Sequence, residues 1–207
     1  VGQKVGIWSS EFKAGQFALF LTVTGLVGAI VGFFLGEIQV DDQGSNRFFP
    51  DDLKYSSAVY FALVMLGIGT ALVASQGLSE RNFSKAGDTV LRALPAIVVG
   101  GLISGFIAQA VYSNMLEDGG SVRVARAIAW MVAGGLSGVA VGIGFRSKKR
   151  IQNGLIGGAA GGLVGGLIFD SIATGTSAQP SRFIALLVIG ALMGALIGLV
   201  DTLRTEM

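Results

Sequence analysis

The chain has 207 residues, of which 52% are hydrophobic, 14% are charged and 33 are glycine. An ordinary soluble domain carries about 25% charged residues and about 7% glycine, so this composition departs towards the membrane class, as does the mean hydropathy of +0.69. The absence of His and Cys excludes His-based triads, thiol nucleophiles, disulfides, zinc sites built on His or Cys, His-ligated haem and iron–sulfur clusters. The formal net charge is only +2, so the placement of Lys and Arg carries more information than their sum, and no nucleic-acid partner is expected.

The first residues, 1–13, mix Val5, Ile7, Trp8 and Phe12 with Lys4, Glu11 and Lys13, the pattern of a short cytoplasmic or interfacial helix. Residues 14–207 read as one transmembrane domain. A membrane helix needs about 20 predominantly apolar residues to cross about 30 Å of hydrocarbon. Six windows qualify, at 14–36, 57–75, 93–115, 127–145, 151–169 and 183–200, and none contains Asp, Glu, Lys or Arg. In lipid the backbone must satisfy its own hydrogen bonds, so these windows predict helices and an all-α integral membrane protein. The longest connection, residues 37–56, holds Phe48, Phe49 and Pro50 among acidic and turn-forming residues. It reads as an ordered or interfacial loop with the two Phe as interface anchors. Pro50 and Pro180 fall in predicted loops and Pro95 in the first turns of the third helix, so no broken helix is signalled.

Lys and Arg in the loops orient such a chain. With the first residues cytoplasmic, the inner segments carry ten basic residues, among them Arg146, Lys148, Lys149 and Arg150, and the outer segments carry five. Both termini are therefore expected in the cytoplasm. The cluster 146–150 serves as a topology signal, with anionic lipid head groups as its other reading.

Small residues recur. With Ala62, Ala129 and Ala185 in register, Gly67, Ala71 and Ser75 align with Gly134, Gly138 and Gly142 and with Gly190, Gly194 and Gly198. The odd-numbered helices align more loosely through Gly28 and Gly32, Gly101 and Gly105, and Gly162 and Gly166. The expectation is three glycine-zippered helical hairpins, an internal threefold repeat. Spacing of four stacks these residues on one helix face, and small residues let membrane helices approach at backbone distance. In the fifth helix Gly154, Gly158, Gly162 and Gly166 form one stripe, and Gly157, Gly161 and Gly165 an adjacent one. That helix is expected at the centre of the bundle. The candidate helix-packing residues are Gly28, Gly32, Gly101, Gly105, Gly134, Gly138, Gly142, Gly158, Gly162, Gly166, Gly190, Gly194 and Gly198.

Transporters and pumps place ionisable groups in their spans, and these spans have none. The nearest candidates are Glu37, Gln109 and Asp170, which nearly coincide in the repeat alignment and would form a polar mouth on the outer side. Their other reading is that they mark where helices leave the hydrocarbon. Asp201 lies at the last helix end, and Trp130 is expected to pack between helices. Neither a catalytic residue, a metal site nor a cofactor is expected.

Residues 150–170 (RIQNGLIGGAAGGLVGGLIFD) and 181–204 (SRFIALLVIGALMGALIGLVDTLR) resemble the membrane region of bacterial proteins that join a Gly-rich multi-span segment to a cytoplasmic forkhead-associated domain. The resemblance covers the last 55 residues or so and extends to the earlier chain in pattern only. It implies a chain that continues past Met207 into a domain binding phosphothreonine peptides, whose binding residues are not in this sequence. The expected function is a non-enzymatic membrane scaffold or anchor, with membrane lipids, other membrane subunits or further copies of itself as partners and a cytoplasmic phosphoprotein reached through that domain. The alternatives are a channel or carrier for a small weakly polar solute, and an accessory subunit of a respiratory or photosynthetic complex.

Overall fold

A computed structural model describes residues 14–40, 47–172 and 178–203, and within those the side chains of 14, 170–172 and 200–203 are not described. Residues 1–13, expected to form an interfacial segment with Trp8, and residues 204–207 lie outside this description. Six helices make up the fold: α1 (Ala14–Glu37), α2 (Leu53–Ser79), α3 (Phe83–Glu117), α4 (Val122–Gly144), α5 (Lys148–Ile172) and α6 (Gln179–Leu203). All six contain a stretch long and apolar enough to cross a membrane, and no strand occurs among the described residues.

Local chemistry sets the helix ends. The Asp52 carboxylate accepts from the backbone N–H of Lys54 at 2.9 Å and of Tyr55 at 3.3 Å and starts α2. Asn82 accepts from Lys85 N at 2.9 Å and starts α3. Side-chain oxygens are favoured at this position because the first N–H groups of a helix lack partners. Gly119, at φ 79°, closes α3, with Gly119 N donating to Leu116 O and Gly120 N to Met115 O. The ends of α2 and α4 use the same left-handed turn without glycine, with Arg81 at φ 52° and Arg146 at φ 53°.

Each helix packs on those before and after it in the chain, and α1 closes the circuit against α6. The chain therefore forms a ring of six helices with a minor contact across it from α2 to α4. The α1–α6 contact is antiparallel, from Phe33 against Phe183 at one end to Ala18 beside Gly198 at the other. One hydrophobic core includes Leu21 of α1, Met65, Ile68 and Leu72 of α2, Ile97 of α3, Val141 of α4, and Leu186, Met193 and Ile197 of α6, each almost fully buried. Large apolar residues face outward mainly on α1, α3 and α5, among them Phe34, Val99, Ile103 and Ile156, the surface that hydrocarbon would cover.

Three expectations change. The third helix starts at Phe83, ten residues before the expected Ala93, and its 35 residues span about 52 Å at about 1.5 Å each. Charged Lys85, Asp88 and Arg92 lie in that extension, which a charge-free window cannot include. Pro95 is consequently inside α3 rather than in its first turns, and Pro180 is the second residue of α6 rather than a loop residue, where its missing N–H is harmless. Finally, α5 occupies a ring position between α4 and α6 rather than the centre. Its two glycine stripes face two different neighbours, so a broad small-residue surface does not require a central helix.

Candidate functional site

The thirteen candidate packing glycines share one geometry: a methyl group added at any of them would lie within 3.0 Å of another helix's backbone, closer than real Cβ contacts allow. Gly28 and Gly32 meet Ile68 and Val64 of α2, and Gly101 and Gly105 meet Ala62 and Ser57 of the same helix. Gly134, Gly138 and Gly142 face Gly158, Gly154 and Ile151 of α5, while Gly162 and Gly166 face Trp130 and Ala127 of α4. Gly190, Gly194 and Gly198 lie on Gly25, Leu21 and Ala18 of α1. The pairs aligned in sequence do not all share a direction. Gly101 and Gly105, like Gly162 and Gly166, turn to the preceding helix, whereas Gly28 and Gly32 turn to the following one.

Chemistry concentrates at the end of the ring where α1, α3 and α5 finish and α2, α4 and α6 begin. Glu37, the last residue of α1, accepts from Arg182 through Nε at 2.8 Å and Nη2 at 2.9 Å. A bidentate pair of this kind is short and directional, and the side chains are only 13% and 18% exposed. The Tyr60 hydroxyl donates to the same carboxylate at 3.5 Å. Gln109 of α3 accepts from the Ser57 hydroxyl of α2 at 3.0 Å and donates to Ser113 Oγ at 3.3 Å. Trp130 packs between helices, 5.9 Å from the Phe61 ring and 5.6 Å from that of Phe169. Arg126 lies 4.6 Å over the Phe169 ring.

These residues surround a cavity of about 430 Å³ lined by Gln39, Ser57, Tyr60, Gln109, Tyr112, Arg126, Trp130 and Arg182 among others. Deeper in the ring the only hydrogen bond between side chains of different helices among the described residues joins Ser104 of α3 to Ser137 of α4 at 3.1 Å, both buried. No group of three or more His, Cys, Asp or Glu with metal-binding geometry occurs among the described residues.

No family model, curated protein or solved structure matches the chain.

Of the three candidates for a polar mouth, Glu37 and Gln109 stand at this end of the ring, each with its own partners, and the side chain of Asp170 lies outside the described residues. Arg182 and Arg126 are two of the five basic residues of the outer segments, and nothing in the sequence pattern singles out Tyr60 or Gln39. One signal was available for Arg182: with alternating spans, an acid that ends the first and a base that opens the sixth fall on the same side. At the opposite end, Arg150 folds back over the Phe145 ring at 4.2 Å and donates to Gln76 Oε1 at 3.4 Å. Arg146, Lys148 and Lys149 are exposed.

Proposed function

We propose that the chain is a non-enzymatic membrane scaffold or anchor, a six-helix domain that packs against other membrane subunits or further copies of itself. The observation that carries this reading is the packed core: Met65, Ile68, Leu72, Ile97, Met193 and Ile197 are each 1% exposed or less and belong to one apolar cluster, which supports a close-packed bundle over an open conduction path. Backbone contact at glycines supplies the association that the hydrophobic effect does not supply between helices in lipid, which supports a glycine-zippered scaffold. A threefold hairpin origin is supported by alternating burial of the apolar spans, 56%, 56% and 44% for α2, α4 and α6 against 39%, 28% and 39% for α1, α3 and α5. The departure of Gly28 and Gly32 counts against strict symmetry. The basic bias supports cytoplasmic termini, the resemblance of residues 150–204 supports a bacterial inner membrane, and from the cytoplasmic side a phosphopeptide-binding domain would be tethered.

Cross-linking in native membranes, followed by purification and mass spectrometry of the attached chains, tests the scaffold reading. Reproducible adducts with a defined membrane subunit or a second copy are expected, and recovery of the uncross-linked monomer alone contradicts it. The second reading, a carrier for a small weakly polar solute, draws on the cavity beside Gln109 and Arg182. It requires the core beneath that cavity to open, and solute uptake into reconstituted vesicles is its direct test.

A further inference from the structure

The cavity, about 430 Å³, falls within the roughly 300–1,000 Å³ of ligand pockets. Its wall joins the apolar surfaces of Phe61, Tyr112 and Trp130 to the amides of Gln39 and Gln109. Most polar groups there already have partners. Arg182 holds Glu37 through two nitrogens, Arg126 lies over the Phe169 and Tyr112 rings, and Gln109 bonds to Ser57 and Ser113.

Gln39 differs. Its Nε2 donates to Ser56 O at 3.2 Å, the residue is 1% exposed, and its Oε1 has no hydrogen-bond partner. Burying an acceptor without a donor costs free energy, and the Nε2 bond fixes which amide atom is left unmatched. Gln39 lines the cavity, and that is where a donor can come from.

We propose that this cavity binds a small uncharged amphipathic molecule, an apolar ring-sized body bearing a hydroxyl or amide N–H that donates to Gln39 Oε1. An anion would compete with Glu37 for Arg182, and a cation would compete with Arg182 for Glu37. A neutral donor disturbs neither, and the aromatic wall covers its apolar body.

The chain has two tryptophans, Trp8 and Trp130, so Trp8→Phe leaves Trp130 in the cavity wall as a fluorescent reporter. The full chain in detergent micelles is titrated with benzyl alcohol, benzyl methyl ether and benzoate. Benzyl alcohol is expected to change Trp130 emission saturably and to bind about tenfold more tightly than the other two, the worth of one hydrogen bond. Gln39→Leu in the same background is expected to erase the preference for the alcohol over the ether, and Ala108→Phe, which fills the cavity, to remove saturation. Should Gln39→Leu fail to fold, the comparison of alcohol with ether on the unaltered cavity decides alone. Linear, equal responses to alcohol and ether, tighter binding of benzoate, or an undiminished preference in Gln39→Leu would each overturn the proposal.

Discussion

Glu37 and Arg182 are 145 residues apart, yet the guanidinium grips the carboxylate with bonds of 2.8 and 2.9 Å and ties the first helix to the last. The circuit of helices closes there. At the same seam Gly190, Gly194 and Gly198 admit the backbone of α1, so a charge pair at the rim and a dry contact in the span act on one interface.

Removing one partner of this pair leaves the other charge desolvated. Arg182→Met is expected to lower unfolding stability in detergent by about 3 kcal/mol, and the double change Glu37→Leu/Arg182→Met by much less, because paired replacement of a buried ion pair by apolar groups is often nearly neutral. A double-mutant cycle on thermal unfolding measures the difference. Additive costs would mean that the two residues are not coupled.

Two glycines of α3 provide an internal control. Nothing lies within 4 Å of a methyl group at Gly87, whereas one at Gly101 would strike the Cα of Ala62. Gly87→Ala is expected to stabilise by about 0.5–1 kcal/mol through helix propensity, and Gly101→Ala to destabilise by about 1–3 kcal/mol through overpacking. Parallel denaturation curves check the opposite signs.

Arg146 holds the left-handed conformation at φ 53°, which costs a residue with a Cβ about 1 kcal/mol relative to glycine. Arg146→Gly is accordingly expected to raise thermal stability by a similar amount while weakening the basic cluster. Lower stability would mean that the side chain, not the turn, dominates there.

Orientation is testable because the chain has no cysteine. A membrane-impermeant maleimide is expected to label Ser121→Cys, in the turn between α3 and α4, from outside intact cells. Lys148→Cys, at the start of α5, should react only after permeabilisation. The reverse pattern would invert the topology drawn from the basic bias.

Sequence made the helices legible because membrane spans are written as long runs without charge, and the four-residue glycine spacing marked surfaces that meet backbone. Charge-free windows hid the start of α3, where Lys85, Asp88 and Arg92 continue the helix beyond the apolar stretch. Pairing was less visible. Neither period nor spacing links Glu37 to Arg182, and Gln109 finds Ser57 only once α3 lies along α2. The breadth of glycine on α5 looked like a central position because composition records how much surface is small and not which neighbours share it.

The most direct test of a closed, backbone-packed ring is Gly162, where an added side chain would meet the backbone of Trp130 and Met131. Size-exclusion profile and thermal unfolding of purified Gly162→Leu should be compared with those of the unaltered chain. Loss of the folded, monodisperse species is the result expected of a seam that admits no Cβ. A Gly162→Leu protein with unchanged profile and unfolding temperature would contradict it.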